Sequence, residues 1–371
     1  AQAHVHLRRS VSGGRKLWLR FKAKFVRTFK WEFWPPYIFY IPVALNYILL
    51  SLRYRALTLP FCTNPGTING YQAGESKAFS LGRLFESTPE HIAEAWLIEG
   101  VDSDAKEQFC LNLIREQTVS YPCILKPDCG NRGSGVKLIH NAQEVSEYLH
   151  RIQAPVILQR YHPGPKEAGV FYYRYPNEEK GQLFAITEKI FPKVIGDGKS
   201  TFEELIWNDE RAYVIADKYL TRFANDLERI PAVGEVCQLV QAGNHAQGCI
   251  FYDGWHLATD KLAEQMDRVA KGLNEFYFGR FDIRYAEDDD LKAGKNFQIL
   301  EVNGFASEAT SIYDPRNSLW SAYSTLFRQW RIVFKIGSEN RKRKFFAPSL
   351  RELIQRGRQY KKQQATHPTT D

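Results

Sequence analysis

Residues 121–135 read Tyr-Pro-Cys-Ile-Leu-Lys-Pro-Asp-Cys-Gly-Asn-Arg-Gly-Ser-Gly; far downstream, Gly-Arg-Phe-Asp-Ile-Arg (279–284) is followed by Ile-Leu-Glu-Val-Asn-Gly (299–304). An apolar strand ends at Lys126 and leads into a glycine-rich loop. Gly130, Gly133 and Gly135 let backbone N–H groups approach a phosphate, because no Cβ intervenes and positive φ is permitted. Taken alone, such a loop is equally well explained as a structural turn. It is not a Walker A loop, since the lysine precedes the glycines, and no βαβ unit follows that would make it a dinucleotide fingerprint. Strand alternation in 298–303 puts Gln298, Leu300 and Val302 on one face and Ile299, Glu301 and Asn303 on the other. Carboxylate and amide oxygens two residues apart suit Mg²⁺, which prefers oxygen ligands and keeps positions open for nucleotide phosphates. Without the upstream lysine, an edge strand with a solvated polar face explains the pattern as well.

With Asp282 added, the chain resembles the ATP-grasp superfamily, especially carboxylate-amine ligases such as D-alanine:D-alanine ligase and the ATP-grasp part of cyanophycin synthetase. The likeness runs over roughly residues 75–335. It implies an α+β fold in which two α+β subdomains grip ATP between them, with ATP and Mg²⁺ (or Mn²⁺) as cofactors. By that pattern Lys126 and Lys77 contact the ATP phosphates, with Lys106 a nearby alternative to Lys77, and the loop with Gly130, Arg132, Gly133, Ser134 and Gly135 closes over them. The strand 156–161, with Gln159, Arg160 and Tyr161, resembles the hinge strand whose backbone faces adenine, and Glu167 matches the glutamate that reads the ribose. Asp282, Glu301 and Asn303 fall at the metal-ligand positions. Arg280 matches the arginine that neutralises the transferring phosphoryl group and the tetrahedral intermediate, Thr187-Glu188-Lys189 resembles a further lysine-bearing strand that makes Lys189 a catalytic candidate, and residues 196–201 are similar to a stretch of cyanophycin synthetase. His245, beside Gly243 and Asn244, is a substrate-orienting residue or base, or else a turn residue.

The implied reaction activates a carboxylate as an acylphosphate and joins it to an amine. The alternatives are phosphoryl transfer without ligation, as in a kinase, and a nucleotide-binding regulatory protein without turnover. Most ligases of this kind carry an N-terminal subdomain that helps bind the first substrate, and the short stretch ahead of Lys77 leaves it truncated. The carboxylate and amine are accordingly expected to be small molecules or lipid-linked ones.

Charge is uneven. Lys and Arg exceed acidic residues by ten in 1–55 and by eight in 331–371; the total of +8 therefore leaves −10 for residues 56–330. No helix-turn-helix, zinc-finger or RNA-recognition signature accompanies the basic ends, so no nucleic-acid partner is expected. An anionic membrane surface fits better, because the N-terminal basic run leads into the uncharged stretch 33–52, with Trp34, Tyr37, Tyr40 and Tyr47. Pro35, Pro36 and Pro42 interrupt it and Asn46 sits within it, which favours a re-entrant or interfacial segment at the cytoplasmic face over a single span. It begins too far into the chain for a cleaved signal peptide. Six cysteines without Cys-x-x-Cys spacing read as reduced thiols, with Cys62 open to acylation or simply buried.

The expected organisation is a basic region with the apolar segment (1–60), a lead-in (61–120), a central subdomain (121–195), a C-terminal subdomain with the metal site (196–335) and a basic, partly disordered tail (336–371). Strands are expected near 121–127, 135–140, 155–161, 168–175, 182–190, 279–285 and 296–303. Helices are expected after Asn141 and after Ser200, with capping boxes at Glu144 and Glu203, from Thr259 to about Tyr277, and from Asp314-Pro315 to about Phe334.

Overall fold

The computed structural model describes residues 13–67, 70, 75–100, 102–130, 135–240, 243 and 248–364. The helices are α1 (Gly13–Phe29), α2 (Pro36–Phe39), α3 (Ile41–Tyr54), α4 (Lys77–Ser87), α5 (Ser103–Arg115), α6 (Ala142–Arg151), α7 (Phe202–Asn208), α8 (Ala216–Arg222), α9 (Asp260–Lys271), α10 (Asp288–Lys292), α11 (Leu319–Lys342) and α12 (Leu350–Gln364). The strands are β1 (Ala95–Ile98), β2 (Cys123–Pro127), β3 (Lys137–Ile139), β4 (Val156–Arg160), β5 (Lys166–Tyr173), β6 (Gln182–Ile190), β7 (Lys193–Ile195), β8 (Val236–Gln238), β9 (Ile250–Asp253), β10 (Phe278–Tyr285) and β11 (Phe297–Asn303). They form two compact units, each discontinuous in sequence: the described parts of Ala1–Ile41 with Ile190–Ile250, and of Pro42–Lys189 with Phe251–Asp371.

The larger unit holds two sheets, in the strand orders β1-β4-β2-β3 and β11-β10-β5-β6-β9. Helices cover one face of the smaller sheet, and the larger sheet has α9 on one face and α11 against part of the other, the α+β arrangement expected of the sequence. In the smaller sheet, Cys123 and Leu125 of β2 and Val156 and Leu158 of β4 pack with Cys110 of α5 and Val145 and Leu149 of α6. Under the larger sheet, α9 presents Leu262, Met266, Val269 and Ala270, spaced by four, three and one, to Val170, Phe281 and Ile283. Burying each large apolar side chain there contributes about 1.5–3 kcal/mol. Thr259 caps α9 by accepting from the Leu262 N–H, and the helix ends at Lys271, short of the expected Tyr277, because Leu273 and Phe276 turn into the core.

Two further boundaries differ from expectation. The cap of α7 is a full capping box, but Thr201 and Glu204 make it, one residue beyond the expected pair. The basic tail carries α12, and α11 continues past Phe334 to Lys342 because Ile336 and Gly337 are themselves buried.

A bulge in β11 overturns the simple alternation. Asp282 pairs with Glu301, but Ile283 pairs with Ile299, so Leu300 is the extra residue. Ile299 therefore returns to the core face with Phe281 and Ile283, whereas Glu301 stays opposite Asp282.

Where β11 ends, Asn64 takes over its ladder. Fully buried, its Oδ1 accepts from the N–H groups of Tyr277 and Phe278 at 2.9 and 3.0 Å, and its Nδ2 donates to the Phe278 carbonyl at 2.7 Å. Asn64→Ala strips these partners from the start of the strand that carries Arg280 and Asp282. A loss of about 2–3 kcal/mol is expected, read by denaturant unfolding; an unchanged midpoint would contradict it.

The apolar stretch 33–52 is not continuous. A 3-10 turn at Trp31–Phe33 precedes α2, and α3 begins after Tyr40. Within the larger unit α3 packs on α11, with the Tyr47 ring 5.0 Å from Trp330 and 5.1 Å from Phe334. Among the described residues no helix is long and apolar enough to cross a membrane.

Candidate active site

The face of the larger sheet opposite α9 is polar at one end. Register places Arg284 opposite Glu167, Glu167 opposite Lys189, Asp282 opposite Glu301 and Arg280 opposite Asn303, all on β5, β6, β10 and β11. Gly169 lies between them on β5, and there a Cβ would come within 2.9 Å of Arg280 Cδ and 3.3 Å of Asp282 Oδ1. A side chain at that position would have to displace the Arg280 and Asp282 side chains that cross it.

The charges are tightly tied. Asp282 is buried, with Arg280 Nε at 2.9 Å, Lys189 Nζ at 3.2 Å and Asn303 Nδ2 at 3.3 Å. Burial works against its charge, but Arg280 and Lys189 outweigh it and hold the carboxyl below the ordinary range. Lys189 also donates to Glu167 at 2.7 Å; burial lowers its pKa, yet Asp282 and Glu167 prevail and keep the ammonium charged. Arg284 stands 3.5 Å from Glu167 and over the Tyr161 ring at 5.4 Å.

Strand β2 of the smaller sheet and the start of α4 contribute the other two lysines. Lys126, buried on β2, donates to Gln159 Oε1 at 2.8 Å and to the carbonyl of the bulged Leu300 at 3.0 Å. The Gln159 amide donates to the same carbonyl and to that of Ala93, so the bulge ties both sheets at one oxygen. Lys77, at the start of α4, donates to the Gly130 carbonyl at 2.6 Å and lies 3.8 Å from Glu301. Ser76 caps α4 and also donates to Asp128, which in turn accepts from the Ala78 N–H.

Burial lowers the Lys126 pKa to about 8, against the opposing pull of Glu301. The cost of burying this charge is fully present while both folded and unfolded states are protonated, and it is relieved as pH rises through 8. A phosphate ligand favours the ammonium, so nucleotide affinity is expected to fall as pH climbs from about 7 to 9. Lys126→Arg should flatten that decline, because guanidinium stays charged. Calorimetric titration across this range checks it; a decline that persists in the arginine variant would contradict the assignment.

The structure thus brings together Lys77, Lys126, Gln159, Glu167, Lys189, Arg280, Asp282, Glu301 and Asn303, with Tyr161 beside Arg284. Arg160 is not among them: its side chain binds Glu94 at 2.8 Å and the Thr118 carbonyl, because alternation on β4 turns it away from Gln159. Lys106, the alternative to Lys77, has none of the cluster's side chains as a partner and donates to the Gln153 and Ala154 carbonyls. Gly130 meets Lys77, and Gly135, at φ 72°, has its carbonyl bound by the Tyr148 hydroxyl. Arg132, Gly133, Ser134 and His245 lie outside the described residues. Sequence reasoning missed Asp128 and Arg284; a carboxylate two residues after Lys126 and an arginine two after Asp282 were the available signals.

The donor set suits a hard divalent ion. Asp282, Glu301 and Asn303 offer oxygens from one face of two paired strands. Arg280, Lys189 and Asn303 already engage the carboxylate of Asp282, whereas Glu301, with 29% of its side chain exposed, is the more accessible of the two acids.

No protein-family model matches the chain. It is 29% identical over 177 residues to a cyanophycin synthetase of Geminocystis herdmanii, a match covering 41% of this chain and 19% of that one. A cyanophycin synthetase of Trichormus variabilis is 28% identical over 153 residues, covering 36% and 16%. The chain therefore spans less than a fifth of the length of these curated relatives. Among solved structures, a D-Ala:D-Ser ligase from Enterococcus faecalis superposes with a TM-score of 0.40 at 11% identity, covering 71% of this chain and 61% of that one.

Proposed function

We propose, on the premise of this sequence likeness to cyanophycin synthetases, that the chain is an ATP-dependent carboxylate-amine ligase forming ADP, with its reaction centre on the cation-rich polar face between the two sheets. The observation that carries the reading is the convergence of Lys126 from the smaller sheet and Lys77 from the start of α4 with Arg280, Lys189, Asp282, Glu301 and Asn303 from the larger sheet. Phosphoryl transfer needs positioning and charge neutralisation more than covalent help, and those residue types supply both.

In this reading Lys126 and Lys77 hold the phosphates, and Glu167 accepts from the ribose hydroxyls. A substrate carboxylate oxygen bonds to the γ-phosphorus as the bond to ADP breaks, and Arg280 offsets the charge that develops. An amine then attacks the acyl carbon, phosphate departs and the amine loses a proton. Glu301, Asn303 and Asp282 would hold Mg²⁺, which would supply neutralisation of the phosphate charge. Magnesium rather than another divalent ion, and action at a cytoplasmic membrane surface on a lipid-linked or surface-delivered substrate, are parts of the same proposal. The membrane part draws support from the basic N-terminal region.

The test is incubation of the whole chain with MgATP and pools of carboxylic acids and amines. Joint release of ADP and free phosphate that needs both pools is expected. A phosphorylated product would show a kinase, and nucleotide binding with no ADP release from any pool would show a non-catalytic binder; either result contradicts the proposal.

A further inference from the structure

Helix α1 is fixed to the module 190–250 by one face and exposes another. Leu19 and Ala23 are buried, Lys16 binds Glu203 at 2.7 Å, Arg20 lies 3.5 Å from Asp217, and Lys22 sits over the Tyr213 ring. The opposite side shows Leu17, Trp18, Phe21, Phe25 and Phe29 with 68, 57, 71, 56 and 69% of their surface exposed. At helical spacing these five fall within an arc of about 120°. Arg20, Lys24 and Arg27 border the arc on one side, and Arg15 and Lys22 on the other.

A cleft of about 540 Å³ opens beside this arc, lined by Lys24, Arg27, Thr28, Trp34, Pro35 and Ile38. Its far wall is pinned where the Trp34 indole N–H donates to the Thr28 carbonyl at 2.9 Å. Two walls are cationic and the rest largely apolar. Among the described residues neither Lys24 nor Arg27 has a carboxylate partner. Burial lowers the Lys218 pKa, and the like charges of Arg222 and Arg27 lower it further.

We infer that α1 is a membrane-docking helix: its aromatic arc lies in the interfacial layer of an anionic phospholipid bilayer, and the cleft bounded by Lys24 and Arg27 takes a lipid phosphate. Charge complementarity chooses this occupant. A protein groove would have to satisfy basic flanks on both sides of the arc, whereas an anionic bilayer does so wherever the helix lies, and aromatic side chains with basic neighbours suit the headgroup boundary. The two contributions are of different kinds, apolar insertion and electrostatic attraction, which together suffice for stable residence where one alone is marginal. The inference rests on the membrane-surface part of the proposed function and is independent of the ligase chemistry.

The experiment is flotation of the whole chain with phosphatidylcholine vesicles, with and without phosphatidylglycerol. The wild type is expected to float with the anionic vesicles. The double variant Phe21→Ser with Phe25→Ser, at exposed positions, should reduce the bound fraction about tenfold or more with an unchanged melting temperature. Lys24→Glu with Arg27→Glu should do the same at low salt. Glycerol phosphate in solution should not displace the protein. If the wild type does not float, the membrane reading fails and this inference with it. If it floats and both double variants float equally well, the membrane reading stands and α1 is not the contact. Displacement by glycerol phosphate would make the cleft a site for a free phosphate compound. Concentration-dependent dimers that the Phe21/Phe25 variant abolishes, without vesicle binding, would make the arc an interface between copies; both results overturn the inference.

Discussion

Replacing Glu301 with Gln is expected to lower turnover by roughly 10²–10³-fold while the protein stays folded. The substitution keeps the shape and removes one charge. Glu301 stands opposite Asp282 on paired strands and 3.8 Å from Lys77, so the amide loses both a hard anionic donor and the counter-charge that faces the lysine. Its side chain is 29% exposed and belongs to no buried ion pair, so little stability depends on it. The rate of ADP release beside an unchanged melting temperature checks this; wild-type turnover would remove Glu301 from the metal set.

Lys189→Met is expected to act on the fold as strongly as on catalysis. The ammonium, 5% exposed, lies between Glu167 and Asp282, each 10% exposed, and its removal leaves two buried carboxylates short of one cation. Arg284 and Arg280 remain within 3.5 and 2.9 Å of them, which limits the damage. A loss of about 3 kcal/mol at neutral pH is expected. The pH dependence identifies the cause. Asp282 has a depressed folded pKa, so its contribution is present above its unfolded value, near 4, and is lost as pH falls through the folded value. The stability gap between wild type and variant should therefore shrink in acid. A gap that is constant from neutral pH to about pH 3 would point to lost packing instead.

Much of this architecture was legible because the strands read as nearly continuous apolar runs and most of the functional side chains sit on them. Lys126 ends an apolar run, and Asp282 and Glu301 interrupt others, so each stands out against its neighbours. The bulge at Leu300 was not legible, since strict alternation assigns Ile299 to the face of Glu301, and only pairing with β10 reveals the extra residue. Nor was α1. Leu19 and Ala23 face the module while Phe21 and Phe25 face outward, so two apolar arcs with cations between them blur any single stripe. Its partners in 190–250 are remote in sequence, and local patterning carries no trace of them. The Arg160 side chain points away from that of Gln159 because neighbours on a strand face opposite sides, which leaves only its backbone on the hinge strand.

The most direct measurement of the central claim follows oxygen. With an acid pool labelled with ¹⁸O in the carboxylate, MgATP and an amine pool, the ligase reaction moves one labelled oxygen into the released phosphate, because the carboxylate attacks phosphorus and the amine then cleaves the acyl bond. Labelled free phosphate formed together with ADP is the predicted result. Phosphate carrying no label, or label retained on a phosphorylated product, would contradict it.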